Sequence, residues 1–136
     1  MAPEPGKLRY EGIHCDLRIE QPASHVIVLR ISGTDIGEFG ESPFQSLDGL
    51  LGAEPIDFFI DARDVRGASI EVSSDWAAWL NTNKDSLRSV TMLTGSRFIQ
   101  ITAEFVRRFA SLEGIMRICT EPEVFDWALT ESLKSG

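Results

Sequence analysis

The apolar positions of this chain change their period four times, always in the same order. A short, nearly continuous apolar run is followed by an apolar stripe with helical spacing. Residues 26–31 lead into 42–51, 56–60 into 73–87, 90–93 into 102–112, and 115–119 into 120–133. Strands alternating with helices at this spacing predict βαβ crossovers and a largely parallel sheet. Ahead of them, Ile13, Cys15, Leu17 and Ile19 share one side of an alternating stretch, with His14, Asp16, Arg18 and Glu20 on the other. That alternation predicts a half-buried strand from Leu8 onward. The turn residues Gln21-Pro22-Ala23-Ser24 then return the chain as an antiparallel hairpin.

Local signals place the helix ends. Ser42, with Pro43 after it, suits a first helix start, and Gly52 its exit. Ser73 or Ser74 opens the second helix with Asp75 in its first turn. Thr102 caps the third, and Thr120-Glu121-Pro122-Glu123 reads as a capping box for the fourth. The stripes place Phe44, Leu47, Phe105, Phe109, Phe125 and Leu129 against the sheet. Polar residues interrupt the later strands at Asp57, Thr91 and Arg117, whereas parallel strands covered on both faces are apolar throughout. Right-handed crossovers all lie on one side of a sheet. The expectation is therefore an α/β fold: a five-stranded mixed, mostly parallel sheet with an antiparallel first strand at its edge. All four helices lie on one face, and the second face is partly open. Residues 1–7 read as a loose Pro- and Gly-containing lead-in, and 8–134 as a single domain.

Composition narrows the function more by exclusion than by suggestion. A length of 136 residues holds one core, and 43% hydrophobic with 25% charged residues is an ordinary globular balance. The net charge of −8 argues against nucleic-acid binding. The absence of a long apolar run argues against a membrane span. The opening Met-Ala-Pro-Glu-Pro-Gly has neither the basic nor the apolar part of a signal peptide, so a cytoplasmic location is expected. Cys15 and Cys119 stand apart in strand-like segments and read as buried reduced thiols. No metal-ligand spacing is present, and neither metal nor cofactor is expected.

Catalytic signatures are missing. Gly95-Ser96 follows a strand without completing a nucleophile elbow, and Gly33, Gly37 and Gly40 lack dinucleotide-binding spacing. His14 and His25 flank the hairpin turn and read as surface residues. Asp61 and Asp64 form a close acidic pair at the expected end of the 56–60 strand, where α/β sites sit. Capping of the next loop by the same carboxylates accounts for them without chemistry. Trp76 and Trp79 share a helical face, either as core or as interface anchors.

Several stretches together resemble the STAS domain of anti-sigma-factor antagonists. These are Val28-Leu29-Arg30-Ile31-Ser32-Gly33, then Ile56-Asp57-Phe58-Phe59-Ile60-Asp61-Ala62-Arg63-Asp64-Val65, the 90–93 strand with Thr102-Ala103-Glu104-Phe105-Val106, and the closing strand and helix. The resemblance spans 8–133 and implies a bacterial, non-catalytic regulatory domain that binds a protein partner, such as an anti-sigma-type kinase, as a monomer or weak homodimer. It places docking around the second helix and the loop before it, here 69–79. In phosphorylated members an Asp-Ser-Ser/Thr-Gly motif opens that helix. This chain has Ser69 and then Ser73-Ser74-Asp75, with the acid after the serines and no glycine. It is more similar to a divergent branch grouped with Sec14-type lipid-binding domains, which leaves carriage of an apolar small ligand as the alternative. A phosphate at Ser73 or Ser74 suits a helix N-terminus, and plain capping explains the same residues.

Overall fold

The computed structural model describes residues 7–135. Of the expected lead-in at 1–7, residues 1–6 lie outside them, and Lys7 already opens a strand. The described chain runs β1 (Lys7–Glu11), β2 (Cys15–Ala23), β3 (Val26–Asp35), α1 (Ser42–Asp48), β4 (Ile56–Ala68) and α2 (Ile70–Thr82). A single 3-10 turn at Lys84–Ser86 leads to β5 (Leu87–Thr94), α3 (Arg97–Phe109), β6 (Met116–Cys119) and α4 (Pro122–Lys134). The strands lie in chain order in one sheet, with β1, β2 and β3 antiparallel and β3 to β6 parallel.

The α/β architecture is the expected one, with six strands where five were expected. The alternating stretch that reads as one strand is two, β1 and β2, folded at Gly12–His14. Glu38 holds that turn by accepting from the backbone N–H groups of Ile13 (2.8 Å) and His14 (2.9 Å). Ile13 therefore projects into solvent, while Cys15, Leu17 and Ile19 keep the buried side. Gly33 passes so close to this turn, at φ +86°, that a Cβ would stand 2.3 Å from the His14 carbonyl oxygen. Only glycine fits there.

Three helices share one face, and the fourth does not. Leu47 of α1, Ala77, Trp79 and Leu80 of α2, and Val106 and Ala110 of α3 pack with Ile27, Leu29, Phe58, Ile60 and Val90. Phe125 of α4 packs instead with Val26, Val28, Phe59, Leu93 and Cys119, the residues that alternate to the opposite face. Its ring meets Phe59 edge-on at 5.7 Å. The expectation of four helices on one face fails for a physical reason. The handedness rule binds helices that connect two parallel strands, and α4 follows β6 and joins no two of the described strands. It covers only part of the second face; the Arg30–Asp61 region beyond it stays open.

Asp57 is what α4 is fastened to. Its buried carboxylate accepts from Arg88 Nε (2.9 Å) and Nη2 (2.6 Å), from Ser89 Oγ (2.9 Å), and from Ser132 Oγ on α4. His25 Nε2 donates to the Ser132 carbonyl at 2.7 Å, tying the β2–β3 turn to the same point. These donors, Arg88 first, hold the Asp57 carboxyl at about 2, below the usual carboxylate range.

α3 also departs from its stripe. Its sheet-facing residues are Ile99, Ala103, Val106 and Ala110, whereas Phe105 and Phe109 are 45% and 62% exposed. The chain carries two apolar ridges on this helix, and the one with alanines lets the helix axis approach the sheet. Leu47 and Phe125 are fully buried, as their stripes predict, while Phe44 and Leu129 are partly buried.

Two outcomes test this packing. Phe125→Ala is expected to cost about 3–5 kcal/mol, and Phe109→Ala to stay within about 0.5 kcal/mol of the parent, by urea denaturation at neutral pH; equal losses would contradict the burial of α4. Because the Asp57 carboxyl lies lower in the folded than in the unfolded chain, its contribution is complete above pH 4 and lost as the pH falls toward 2. Asp57→Asn is expected to flatten that part of the stability–pH curve, and an unchanged acid slope would contradict the assignment.

Candidate functional site

The three consecutive crossovers from β3, β4 and β5 all leave the sheet at the same end, the place where parallel α/β sheets bind ligands and partners. Backbone pairing knits the first two exits together: Ala68 lies opposite Asp35, and the Ser69 N–H donates to the Asp35 carbonyl at 3.0 Å. Gly95 closes the third exit against β4, where a Cβ would stand 2.0 Å from the Arg63 carbonyl oxygen.

α2 begins four residues earlier than the serine pair suggests. Ser69 is its N-cap, accepting from the Val72 N–H at 3.1 Å. Ser73 is buried in the first turn, donating its hydroxyl to the Ser69 carbonyl at 3.1 Å. Ser74 is half-buried and Asp75 exposed one step further. Ile70 and Val72 read as strand residues by propensity, which hides a helix that starts directly at the strand end. A displacement of six residues occurs at α3, where Ser96 caps by accepting from the Ile99 N–H at 3.2 Å. Thr102 lies inside that helix, with its hydroxyl donating to the Phe98 carbonyl. α4 starts at Pro122 after Glu121, and neither it nor α1 has a side-chain cap, so Ser42 and Thr120 do not cap.

The rim carries a row of exposed apolar side chains. Ile36 follows β3, Ile70 is the first residue of α2, and Phe98 is the second residue of α3, at 52%, 81% and 59% exposure. No stripe analysis singles them out as a set, because they belong to three separate segments that follow the C-terminal ends of β3, β4 and β5.

Trp76 and Trp79 belong to an aromatic cluster under α2. Trp79 is buried, donates from Nε1 to Asp48 at 2.8 Å, and meets Phe58 edge-on at 5.8 Å. Trp76 is half-buried, 4.6 Å from the Phe44 ring. The apolar cavity beside Trp76, between α2, α3 and the sheet, holds about 70 Å³. Ligand pockets are typically about 300–1,000 Å³, so this one does not accommodate a lipid chain.

Asp61 and Asp64 do not form a pair at a strand end, because β4 continues to Ala68. Asp61 is buried on the second face between two guanidinium groups, Arg30 Nη1 at 2.8 Å and Arg63 Nε at 3.0 Å. Its oxygens are taken up as an ion-pair brace, which leaves no free lone pair aimed at a substrate. Asp64 is exposed. Burial raises both thiols, Cys15 to about 12, so they are protonated at neutral pH and poor nucleophiles. Among the described residues no three His, Cys, Asp or Glu side chains come together as metal ligands, and no helix is long and apolar enough to cross a membrane.

No protein-family profile and no curated protein sequence matches the chain significantly. Solved structures do match. One is an uncharacterized protein of the DUF3478 family with a SpoIIAA-like fold from Shewanella loihica PV-4, at TM-score 0.62 and 16% identity over 87% of this chain and 97% of that one. Another is the anti-sigma factor antagonist SpoIIAA in its unphosphorylated form, at TM-score 0.56 and 16% identity over 84% and 96%. Hairpin, alternating crossovers and closing helix together give this chain a SpoIIAA-like fold.

Proposed function

We propose that this chain is a non-catalytic regulatory domain that binds a protein partner through the rim at the C-terminal ends of β3, β4 and β5. The observation that carries the reading is the exposure of Ile36, Ile70 and Phe98, each just past the C-terminal end of its strand. Isolated exposed apolar residues are ordinary; three gathered at one end of a sheet form a contact surface that excludes water when covered. The likeness to SpoIIAA, an anti-sigma factor antagonist, supports the same class. A kinase of the anti-sigma type is the proposed partner, and cytoplasmic residence goes with it. The engaged Asp61 carboxylate and the protonated thiols support a binding role over a catalytic one. Carriage of a lipid-like ligand has no comparable support, given the size of the cavity beside Trp76.

Of the serines at the rim, Ser69 is spent on the helix cap and Ser73 is buried. In this reading Ser74 is the hydroxyl at which a phosphate, with its charge of about −2, alters docking. Ser69→Ala is expected to lose about 1 kcal/mol of stability, and Ser74→Ala no more than about 0.5 kcal/mol, by chemical denaturation. The docking test is cross-linked capture from the native host with the parent and with Ile70→Asp. The partner should be retained by the parent and lost from the variant at unchanged melting temperature. Identical captured sets would overturn the rim as the binding surface.

A further inference from the structure

One buried carboxylate of the sheet lacks a counter-charge. Asp57 is met by Arg88, and Asp61 by Arg30 and Arg63. Asp35, the last residue of β3, is 7% exposed. Among the described residues its carboxylate makes no ion pair and receives a single hydrogen bond, from the Gly37 N–H to Oδ1 at 3.1 Å. A buried carboxylate is costly unless donors reach both of its oxygens.

Two cavities adjoin this side chain. One is the apolar cavity of about 70 Å³ between α2, α3 and the sheet, which Asp35 lines with Val72 and Trp76. The other is a pocket of about 80 Å³ between the 36–41 loop, α1 and the start of α2. Asp35, Val72 and Trp76 line it as well, together with Glu41, Asp75 and Phe44. Among the described residues no lysine, arginine or histidine lines either space. Glu41 and Asp75 are exposed and make no ion pair. Phe44 and Trp76, with ring centroids 4.6 Å apart, supply aromatic lining of the kind that attracts an organic cation.

We propose that Asp35 anchors a binding site for a small alkylammonium ligand. The ammonium donates to the Asp35 carboxylate from the acidic pocket, and the alkyl group enters the apolar cavity. A few converging polar groups at the edge of an apolar space are the usual make-up of a small-molecule site. Volume sets the size of the ligand: a cavity of ~150 Å³ admits benzene, so this one takes a short branched alkyl group. Charge sets its sign, because three carboxylates repel an anion and attract a cation. The site lies where β3 ends beside the first turn of α2, and it does not depend on the partner proposed for the rim.

The probe is isobutylammonium, with isobutanol as its neutral isostere and methylammonium as its truncated form. Each is titrated into the full chain at constant ionic strength and followed by the amide NMR shifts of Gly37, Val72 and Trp76. Isobutylammonium should move these signals saturably at millimolar concentration, about tenfold more tightly than either control. Asp35→Asn keeps an acceptor for the Gly37 N–H and removes the charge. It should bind isobutylammonium about tenfold less tightly and isobutanol as before. Val72→Leu adds a methylene to the shared wall and should weaken both isobutyl compounds. If Asp35→Asn does not fold, Glu41→Gln with Asp75→Asn, both at exposed positions, replaces it and should weaken the ammonium alone. The absence of a saturable shift overturns the proposal. So does equal affinity of the parent for isobutylammonium and isobutanol, or an ammonium affinity that the charge-removing variant leaves unchanged.

Discussion

A single buried carboxylate decides how this molecule is layered. Asp57 stands within the apolar stretch Ile56–Ile60 of β4, and desolvating it is costly unless every oxygen finds a donor. Arg88 and Ser89 supply donors from the adjacent strand, and Ser132 supplies one from the last helix. The helix is thereby drawn to the face that the crossovers leave empty. Phe125 and Phe59 add apolar contact alongside, and His25 fixes the Ser132 carbonyl from the hairpin turn. One polar cluster thus joins the hairpin, the central strand, the next strand and the closing helix. A wholly apolar site would bury more favourably but would not specify the helix position so narrowly.

With α4 held on the far face, the two faces differ in character. The near face buries the aromatic cluster of Phe44, Phe58, Trp76 and Trp79 beneath α1 and α2. The far face is covered at one end and open at the other, where Arg30, Arg63 and Asp61 pair in place of apolar packing. Polar residues that interrupt the strand pattern therefore serve two ends. Asp57 anchors a helix, and Asp61 finishes a surface. Both carboxylates are taken up by donors of the chain itself.

Periodicity and turn chemistry were enough to read the alternation of strands and helices, the opening hairpin and the partly open second face. Those features follow from local pattern, because period two and period 3.6 are properties of neighbouring residues. The resemblance carried by the strand motifs also pointed to the STAS-like fold that the solved structures share. Helix starts were less legible. Ser69 and Ser96 cap helices whose first residues, Ile70 and Val72 or Phe98 and Ile99, are equally good strand residues. The more conspicuous Ser73-Ser74 and Thr102 drew the boundary inward by four to six positions.

By itself, the sequence determined which segments pair as strands, which coil as helices, and that catalytic and metal-binding signatures are missing. Tertiary structure alone decided which of two apolar ridges on α3 faces the sheet, which face receives α4, and that Ile36, Ile70 and Phe98 are left exposed past the strand ends. The reason is that burial depends on distance between axes and on the space left by other elements. Alanines on α3 permit a close approach that phenylalanines do not, and a terminal helix is free of the handedness rule that places every crossover.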